Sequence, residues 1–230
     1  MISLIDVRKK YSSEFTLCIN ALNIQQGDRI AVVGANGCGK STLMRILADA
    51  ERADSGEINI PVWCKSIGYE PQFPYCFHMS VMRNVALGIH DKLSKQEKKL
   101  IVESTLKDCN LMHLAMNRAD SLSGGERQRM CFARMLVQKY DLLLLDEPFS
   151  AVDIELEAKM EELLLQYCNK NHSTLLFSTH MPQQAVRLST KMIIMHDGHI
   201  AEVGRTEEIL VNPTTEFGKK FLENWRIDKC

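Results

Sequence analysis

The order of apolar and polar positions predicts an α/β chain. Short, mainly apolar runs at Arg29–Val33, Leu142–Leu145 and Thr174–Ser178 are typical of central parallel strands, which are covered on both faces. Two earlier segments, Ile2–Val7 and Phe15–Ile19, have strand patterns of their own. We therefore expect an antiparallel β portion at the start and a mostly parallel sheet after it.

Weaker signals complete the predicted sheet. Glu57–Ile60 and Ser66–Glu70 are short strand candidates, and a hairpin is predicted where Asp197-Gly198 separates Met192–Met195 from Ile200–Val203. Prolines and aromatic residues without a period predict an ordered loop from Pro71 to about Asn84.

A helical region is predicted between these sets of strands. Ser94 and Glu97 have capping-box spacing, which predicts a helix reaching about Cys109, and the strongest helical pattern is at Glu126–Gln138. An amphipathic helix is expected at Ile154–Gln166, and two short helices after Thr206. The helical subdomain is thus expected at about residues 73–139, inserted in the α/β core.

A glycine-rich loop follows the strand at 29–33. Its residues are Gly34, Ala35, Asn36, Gly37, Cys38, Gly39, Lys40, Ser41 and Thr42, which fit G-x-x-x-x-G-K-[ST]. The glycines let backbone N–H groups approach a phosphate chain, Lys40 is expected at the β- and γ-phosphates, and Ser41 at Mg²⁺. A helix predicted at Thr42–Ala48 adds its N-terminal dipole, which favours anions. Strand, Lys-Ser pair and helix together favour this interpretation over an ordinary glycine turn.

Cys38 lies inside this loop. Neighbouring N–H groups and Lys40 predict a lowered pKa for its thiol. We interpret Cys38 as a tolerated small residue and not as a nucleophile.

Two carboxylates, Asp146 and Glu147, come directly after the buried strand at 142–145. The carboxyl end of a parallel strand is where an open α/β sheet binds its ligands. Asp146 is expected to hold Mg²⁺ and Glu147 to polarise an attacking water. Alone, the two residues would indicate a solvated loop or a helix cap; beside the glycine loop they indicate an ATPase.

A second unusual string, Leu122-Ser123-Gly124-Gly125-Glu126, opens the predicted helix at 126–138. Ser123 and Glu126 also form a capping box, so an ordinary helix cap is the alternative. Because the chain already holds one phosphate loop, small residues at a second helix start predict that each chain completes its neighbour's site in a head-to-tail dimer.

Together these motifs resemble the ATP-binding subunit of an ABC transporter over essentially the whole chain, 1–230. The resemblance implies ATP and Mg²⁺ as cofactors. It makes Gly34–Thr42 the Walker A loop, Asp146 and Glu147 the Walker B pair, and Ser123, Gly124, Gly125 and Glu126 the signature motif that contacts nucleotide. The implied fold is a P-loop NTPase core.

The same resemblance assigns four further residues. It makes Tyr11 the aromatic that stacks on adenine, Gln72 the glutamine at Mg²⁺ and the γ-phosphate, Asp153 the D-loop aspartate and His180 the switch histidine that acts in catalysis with Glu147. Val152 replaces the usual Leu, and Met181 the common acidic residue. From the pattern alone, Tyr11 also fits a surface aromatic and His180 a core or turn histidine.

Composition limits the possible partners. The 28 basic and 29 acidic residues give a formal net charge of −1, so nothing global favours nucleic acid or an anionic membrane surface. Eight cysteines without C-x-x-C or zinc spacing, and no secretory signal, favour a reduced cytosolic setting. The apolar runs are too short to span a bilayer, so a membrane role requires a partner.

The family includes other classes of protein. DNA-repair and chromosome-maintenance heads carry a long coiled coil between Walker A and signature, whereas Lys40 and Ser123 lie only 83 positions apart without sustained heptads. Exporters usually carry T-x-V-G-E-x-G before the signature, and Asn117–Leu122 differs from it. The chain therefore resembles an importer subunit, and Ser80–Ala86 is similar to subunits that serve oxyanion importers, tungstate in particular. The string GGERQR at residues 124–129 also occurs in subunits of lipoprotein-extraction, efflux and cell-division complexes, which are therefore the alternative.

An importer-like subunit implies specific partners. These are a second copy of the chain in an ATP-sandwich dimer, an integral membrane permease and a solute-binding protein, without nucleic acid. The apolar residues Phe73, Tyr75, Phe77 and Met79 predict a groove for a permease helix. The expected location is the cytoplasmic face of the membrane, through the permease.

Overall fold

The structure is a computed structural model that describes residues 1–13, 15–90 and 92–225, so the last five positions of the predicted 1–230 domain lie outside it. Within the described residues, nine strands form one sheet. In chain order they are β1 (Ile2–Lys10), β2 (Thr16–Ile24), β3 (Arg29–Gly34), β4 (Ser55–Asn59), β5 (Ile67–Glu70), β6 (Leu142–Asp146), β7 (Thr174–Ser178), β8 (Lys191–His196) and β9 (His199–Arg205). Across the sheet the order is β4-β1-β2-β9-β8-β3-β7-β6-β5.

The sheet has a parallel and an antiparallel part. Strand β7 pairs in parallel with β3 and β6, and β3 pairs in parallel with β8. The pairs β1/β2, β1/β4 and β8/β9 are antiparallel, and the last of these is the predicted hairpin at Asp197-Gly198. The predicted fold class, a P-loop core with an antiparallel N-terminal portion, is confirmed.

The helices are α1 (Lys40–Leu47), α2 (Val81–Ala86), α3 (Lys95–Asp108), α4 (Gly124–Leu136), α5 (Ile154–Asn171), α6 (Pro182–Leu188), α7 (Thr206–Val211) and α8 (Glu216–Asn224). Both predicted capping boxes are present, at the start of α3 and of α4. Over the described ranges, every helix is too short or too polar to cross a bilayer.

Three helical segments differ from the sequence prediction. The loop expected to run to Asn84 ends earlier, because α2 begins at Val81 with Ser80 as its N-cap. Helix α5 continues to Asn171 instead of ending near Gln166, and α6 was not predicted. Short helices such as α2 and α6 give too few turns for a clear apolar period.

Two compact units are present. The first comprises Met1–Tyr69, Asp141–Glu147 and the chain from His172 on. Its core includes the fully buried residues Val32, Leu43, Leu144, Leu176 and Ile193, contributed by α1 and four strands. Helix α1 contacts β3, β6 and β7, so the segment after the glycine loop is fixed on the parallel strands.

The second unit comprises Glu70–Tyr140 and Pro148–Asn171. Within it α2 contacts both α3 and α4, and the rings of Phe132 and Phe149 meet edge to face with centroids 5.2 Å apart. The subdomain predicted at about 73–139 lies inside this unit, which also takes in residues 148–171.

Candidate nucleotide site

The glycine loop leaves the carboxyl end of β3 with a backbone that only glycine adopts easily. Gly34 and Gly39 have φ angles of 150° and 108°. A Cβ on Gly34 would lie 2.4 Å from the Met195 carbonyl oxygen, and one on Gly39 would lie 2.8 Å from Leu17 Cδ1. The loop therefore packs closely on its own unit, and its shape depends on these two glycines.

Lys40 is the first residue of α1 and is 6% exposed. Its Nζ donates to the carbonyl oxygens of Gly34 at 2.9 Å and Ala35 at 3.1 Å, which carry no formal charge to offset the ammonium. In the described structure no side chain caps α1 at Gly39, and its first turn holds no acidic residue. A buried cation at an uncapped helix start fits an anionic phosphate chain.

The prediction for Cys38 is wrong in direction. Burial raises the pKa of the Cys38 thiol, and this outweighs the lowering by Lys40 and by backbone N–H groups. The thiol is 3% exposed, and its backbone carbonyl accepts a hydrogen bond from Gly198 N–H at 3.0 Å. Cys38 is thus a buried packing residue, which agrees with its interpretation as a tolerated small residue.

Asp146 ends β6 and Glu147 follows it directly, and Ser178 at the end of β7 holds both residues. Asp146 and Ser178 are register partners, and Val32 on β3 pairs with Ser178 from the other side. Ser178 Oγ donates to Asp146 Oδ1 at 2.6 Å and accepts from the Glu147 N–H at 2.9 Å. One buried hydroxyl therefore fixes both carboxylate residues at the same sheet edge from which the glycine loop leaves.

Glu147 and His180 form a pair. Glu147 Oε1 lies 2.7 Å from His180 Nε2, and the Glu147 backbone has a positive φ of 52°. The Glu147 side chain is 13% exposed, against 41% for His180. A carboxylate at a strand end, aimed by an imidazole, is positioned to polarise a water molecule.

Tyr11 lies beside the helix that follows the loop. Its hydroxyl donates to a Glu51 carboxylate oxygen and accepts from Arg45 Nη2 at 3.0 Å, and the same Nη2 donates to Thr42 Oγ1 at 3.3 Å. The phenol end is therefore fixed to α1 while the residue stays 47% exposed, which leaves a ring face for a base.

The signature residues open α4 in the second unit. Ser123 Oγ accepts from the Glu126 N–H, and Glu126 Oε2 accepts from the Ser123 N–H at 2.8 Å, which together with the Ser123 hydroxyl lowers the pKa of Glu126. A Cβ on Gly125 would lie 2.6 Å from the Ala151 carbonyl oxygen, so packing alone requires this glycine. On Gly124 it would come no closer than 4.0 Å to Ala151 Cβ, so packing leaves that position open.

Gln72 and Asp153 also belong to the second unit. Gln72 is half-buried in the loop after β5. The exposed Asp153 lies directly before α5, and its carbonyl oxygen accepts hydrogen bonds from the N–H groups of Leu156 and Glu157 at 2.9 Å. The D-loop, residues 150–153, is held against α4 because Gln128 Oε1 accepts a hydrogen bond from the Ala151 N–H at 2.8 Å. The first unit thus gathers the glycine loop, Tyr11, the Walker B pair and His180, and the second holds the remaining candidates.

Two residues of these clusters were missed from the sequence. Ser178 was predicted only as the last residue of a strand, although its position beside Asp146 follows once β6 and β7 are taken as neighbours. For Gln128 the sequence predicts only a place within a helix. Polar residues at strand ends and on the buried face of a helix are the signal that identifies both.

Comparison with known proteins finds similar ATP-binding proteins of transport systems. A family model described as ABC transporter matches residues 19–150. The putrescine transport ATP-binding protein PotG of Escherichia coli is 33% identical over 94% of this chain and 60% of its own length. The thiamine import ATP-binding protein ThiQ of Photobacterium profundum is 35% identical over 86% of each.

A third relative is the sulfate/thiosulfate import ATP-binding protein CysA of Acinetobacter baylyi, 33% identical over 94% of this chain and 65% of its own length. The chain thus spans less than two thirds of the putrescine and sulfate relatives.

Among solved structures, a putative metal-chelate type ABC transporter in an inward-facing conformation is 31% identical with a TM-score of 0.78, over 97% of this chain and 88% of that one. A dimeric bacterial ABC transporter cassette has a TM-score of 0.80 at 25% identity, over 90% of this chain and 99% of that one.

Proposed function

The chain belongs to the ABC transporter family as its ATP-binding domain, and we propose that it hydrolyses ATP to power solute transport through a separate membrane permease. The observation that carries the proposal is the pair of Glu147 and His180, whose side chains lie 2.7 Å apart. Ser178 holds Asp146, the residue directly before Glu147. This arrangement supplies a water-polarising carboxylate beside a built phosphate loop, which a mere nucleotide-binding module would not require.

The first unit would bind the nucleotide. Lys40 and the N–H groups of residues 34–42 would hold the phosphates, and the ring of Tyr11 would stack on adenine. Ser41 and Asp146 would hold Mg²⁺, because hard oxygen donors are the ligands this ion prefers. Gln72, in the second unit, stays a prediction of the sequence. Bound Mg²⁺ supplies charge neutralisation at the phosphate oxygens.

Glu147 would act as the base that orients the attacking water. His180 holds the Glu147 carboxylate from one side, and Ser178 holds its backbone from the other. A water nucleophile must approach the phosphate in line. Because both the side chain and the backbone of Glu147 are already held, less conformational entropy is lost when the water is positioned for attack.

A second copy would complete the site. Ser123 and Gly124 are exposed at the start of α4, and packing leaves room at Gly124 for a ligand atom. Residues 123–126 of one chain, with its Asp153, would contact ATP bound to the loop of the other. The dimeric arrangement of the cassette similar to this chain supports this part of the proposal.

The permease would dock on the loop that follows β5. Phe73 is 87% exposed and Tyr75 64%, which is unusual for aromatic side chains on one short segment. An apolar segment of this kind suits a helix from a membrane subunit, and it would place the chain at the cytoplasmic face of the membrane.

The direction we propose is import of a small solute, delivered by a solute-binding protein. The names of the sulfate and thiamine relatives, which are import proteins, support this over efflux or lipoprotein extraction. An oxyanion such as tungstate remains our hypothesis for the solute, and the sulfate relative is compatible with it.

A Lys40→Met variant tests the nucleotide site. Methionine keeps an unbranched apolar stem in the buried position but removes the ammonium that we place at the phosphates. Equilibrium binding should show at least about 100-fold weaker ATP affinity, in line with a lost charge-assisted contact in a buried site.

The matched control is Lys191→Met, which removes a half-buried ammonium of the same unit that lies 2.7 Å from Asp28. It should lower stability without changing ATP affinity. Parent-like ATP binding by a folded Lys40→Met variant would contradict the proposed site.

A further inference from the structure

Two thiols that play no part in the proposed nucleotide site lie next to each other in the second unit. Cys76 lies in the loop after β5 and Cys131 lies on α4, and their sulfur atoms are 3.9 Å apart although the residues are 55 positions apart in sequence. Cys131 is 1% exposed, whereas Cys76 is half-buried and reachable from solvent. One accessible thiol therefore rests on one inaccessible thiol.

The loop is held on both sides of Cys76. Arg134, one turn beyond Cys131 on α4, donates from Nη1 to the Tyr75 carbonyl at 3.0 Å, and its guanidinium lies 5.8 Å from the centre of the Phe77 ring. Asn84, fully buried on α2, accepts from the Phe77 N–H at 2.9 Å and donates to the Phe77 carbonyl at 3.0 Å. The sulfur contact is therefore a built feature, because both neighbours of Cys76 are fixed by buried or charged groups.

The surroundings make Cys76 the more reactive thiol. The hydrogen bond from Cys131 lowers the pKa of Cys76 to about 7 against the opposing effect of burial, and the charges of Arg127 and Arg134 lower it further. The same contact raises the pKa of Cys131, so Cys76 is the thiol of the pair that ionises first. A partly exposed thiolate beside cationic groups is the form of cysteine that reacts with oxidants.

We propose that Cys76 and Cys131 are a reversible oxidation site, in which a hydroperoxide converts the two thiols into a disulfide between the loop after β5 and α4. The proposal does not depend on the ATPase assignment.

The reaction takes place in two steps. In the first, the Cys76 thiolate attacks one oxygen of hydrogen peroxide, the O–O bond breaks, and the leaving hydroxide takes a proton from solvent to become water. Cys76 is then a sulfenic acid. In the second, the Cys131 sulfur attacks Cys76, the S–O bond breaks, and the departing hydroxide leaves as water with the proton of Cys131. Two thiols are oxidised and one hydrogen peroxide is reduced to two waters.

Formation of the bond requires only local movement. A disulfide has sulfur atoms about 2.05 Å apart, so the two sulfurs approach by roughly 2 Å, within the range of a side-chain rotation and a small loop shift. The product joins α4 covalently to the segment that carries Tyr75 and Phe77, and dithiothreitol should release it.

The test uses the purified full chain, reduced and then exposed to equimolar hydrogen peroxide. Free thiols are blocked with N-ethylmaleimide, and peptides are identified by mass spectrometry without reduction. We expect one linked peptide pair, Cys76 with Cys131, with alkylation of Cys76 reduced roughly tenfold and restored by dithiothreitol. A mixture of unlabelled and nitrogen-15-labelled chains should give no mixed pairs, since the bond forms within one chain.

Two variants separate the roles of the thiols. Cys131→Ser keeps a hydrogen-bond donor but cannot resolve the first product, so dimedone should label a persistent sulfenic acid at Cys76. Cys76→Ser should leave Cys131 unlabelled. Cys18→Ser is the matched control, because Cys18 is also half-buried but lies on β2, and this variant should behave as the parent.

Three outcomes would overturn the proposal. Cys76 could stay fully alkylatable while other cysteines are oxidised, the linked pair could contain mixed isotopes, or Cys131→Ser could show no sulfenic acid at Cys76. The first would show an unreactive thiol, the second a contact between copies, and the third an oxidation that does not pass through Cys76.

Discussion

At the scale of single residues, Ser178 connects the two chemical roles at the end of β6. Its hydroxyl donates a hydrogen bond to Asp146 and accepts one from the Glu147 N–H, and the residue is fully buried. The Glu147 backbone has a φ of 52°, a conformation that costs free energy for a residue with a side chain. We infer that the Ser178 bond helps to hold Glu147 in that conformation.

Ser178→Ala should therefore affect catalysis more than stability. The variant removes one hydrogen bond to the Asp146 carboxylate and one from the Glu147 N–H, which should lower the free energy of unfolding by about 1–2 kcal/mol. The value of kcat should fall roughly tenfold or more, as for lost supports of catalytic ligands, while ATP affinity changes little. Urea denaturation and steady-state kinetics measure the two effects.

Ser189→Ala is the control that distinguishes a positioning role of Ser178 from a general loss of stability. Ser189 is also buried in the first unit, where its hydroxyl donates to the Ala185 carbonyl at 2.6 Å and meets Thr206 Oγ1 at 2.7 Å. It should lose similar stability while kcat stays within about twofold. If the two variants lose activity equally, the loss reflects stability alone and Ser178 has no positioning role.

At the scale of elements, one carboxylate anchors α8. Glu202 on β9 is 6% exposed and accepts from the Thr214 N–H at 2.6 Å and the Thr215 hydroxyl at 2.8 Å, directly before the helix begins. At the other end, Trp225 Nε1 donates to the His180 carbonyl at 3.1 Å. The helix thus connects a buried carboxylate to the backbone of the proposed catalytic histidine.

Glu202→Gln should weaken this anchor in a pH-dependent way. Burial raises the pKa of Glu202, but the hydrogen bonds from Thr214 and Thr215 outweigh it, so the net pKa lies below the ordinary 4.5. The carboxylate therefore stabilises the fold fully above that ordinary value, and the contribution is lost as the pH falls through the lowered pKa. At pH 7 the variant should be about 2 kcal/mol less stable, and the difference from the parent should shrink in acid.

The control is Glu216→Gln on α8 itself, where the side chain is 93% exposed. Its free energy of unfolding should differ from the parent by less than about 0.5 kcal/mol at either pH. If the loss of unfolding free energy in Glu202→Gln were the same at pH 7 and at a pH below the lowered pKa of Glu202, the charge of Glu202 would not be what anchors the helix.

Elements also show what the sequence could and could not predict. Leu142–Leu145 gives a clear central strand because four apolar residues in a row suit a strand covered on both faces. Helix α2 was missed because its signal is a single cap, Ser80, and a buried Asn84 whose partners are the backbone of residues 77–80. Tertiary contacts of that kind cannot be read from local periodicity.

The site shows the same limit. The sequence predicts a role for Lys40 from the fixed spacing of a phosphate loop, and a role for Asp146 from its place directly after an apolar strand. The partnership of Ser178 with Glu147, and that of Cys76 with Cys131, depend on which strands and helices are neighbours. The raised pKa of Cys38 likewise depends on burial, which the motif alone does not reveal.

At the scale of the whole molecule, the proposed permease surface can be tested by substituting one exposed aromatic residue, Phe73. Phe73 is preferable to Phe77, because Arg134 lies over the Phe77 ring and would pair with a new carboxylate there. Phe73→Asp should weaken assembly with the membrane subunit roughly tenfold or more, while ATPase activity of the isolated chain stays unchanged.

Val62→Asp is the matched control, since Val62 is also 87% exposed but lies outside the loop after β5. Pull-down of the permease should be unaffected by this change. Equal retention of the permease by both variants would remove the loop from the interface.

The dimer proposal depends on separating nucleotide binding from hydrolysis, and Glu147 allows this. Glu147→Gln keeps the size of the side chain and a hydrogen-bonding end near His180, but it removes the charge and basicity that polarise water. Hydrolysis should fall by roughly 100-fold or more, as for the loss of a general base. ATP binding should persist, because Lys40 and the loop are unchanged.

If residues 123–126 of a second copy then close on the bound ATP, the variant should accumulate as a dimer that the parent forms only briefly. Size-exclusion chromatography with light scattering, with and without ATP, measures this directly. A second change, Gly124→Leu, should abolish the dimer without loss of ATP affinity, because packing within the chain leaves room at Gly124 while a leucine would block a ligand there. A Glu147→Gln variant that remains monomeric with ATP bound would refute the shared site, and the Ser123–Glu126 string would then serve only as the cap of α4.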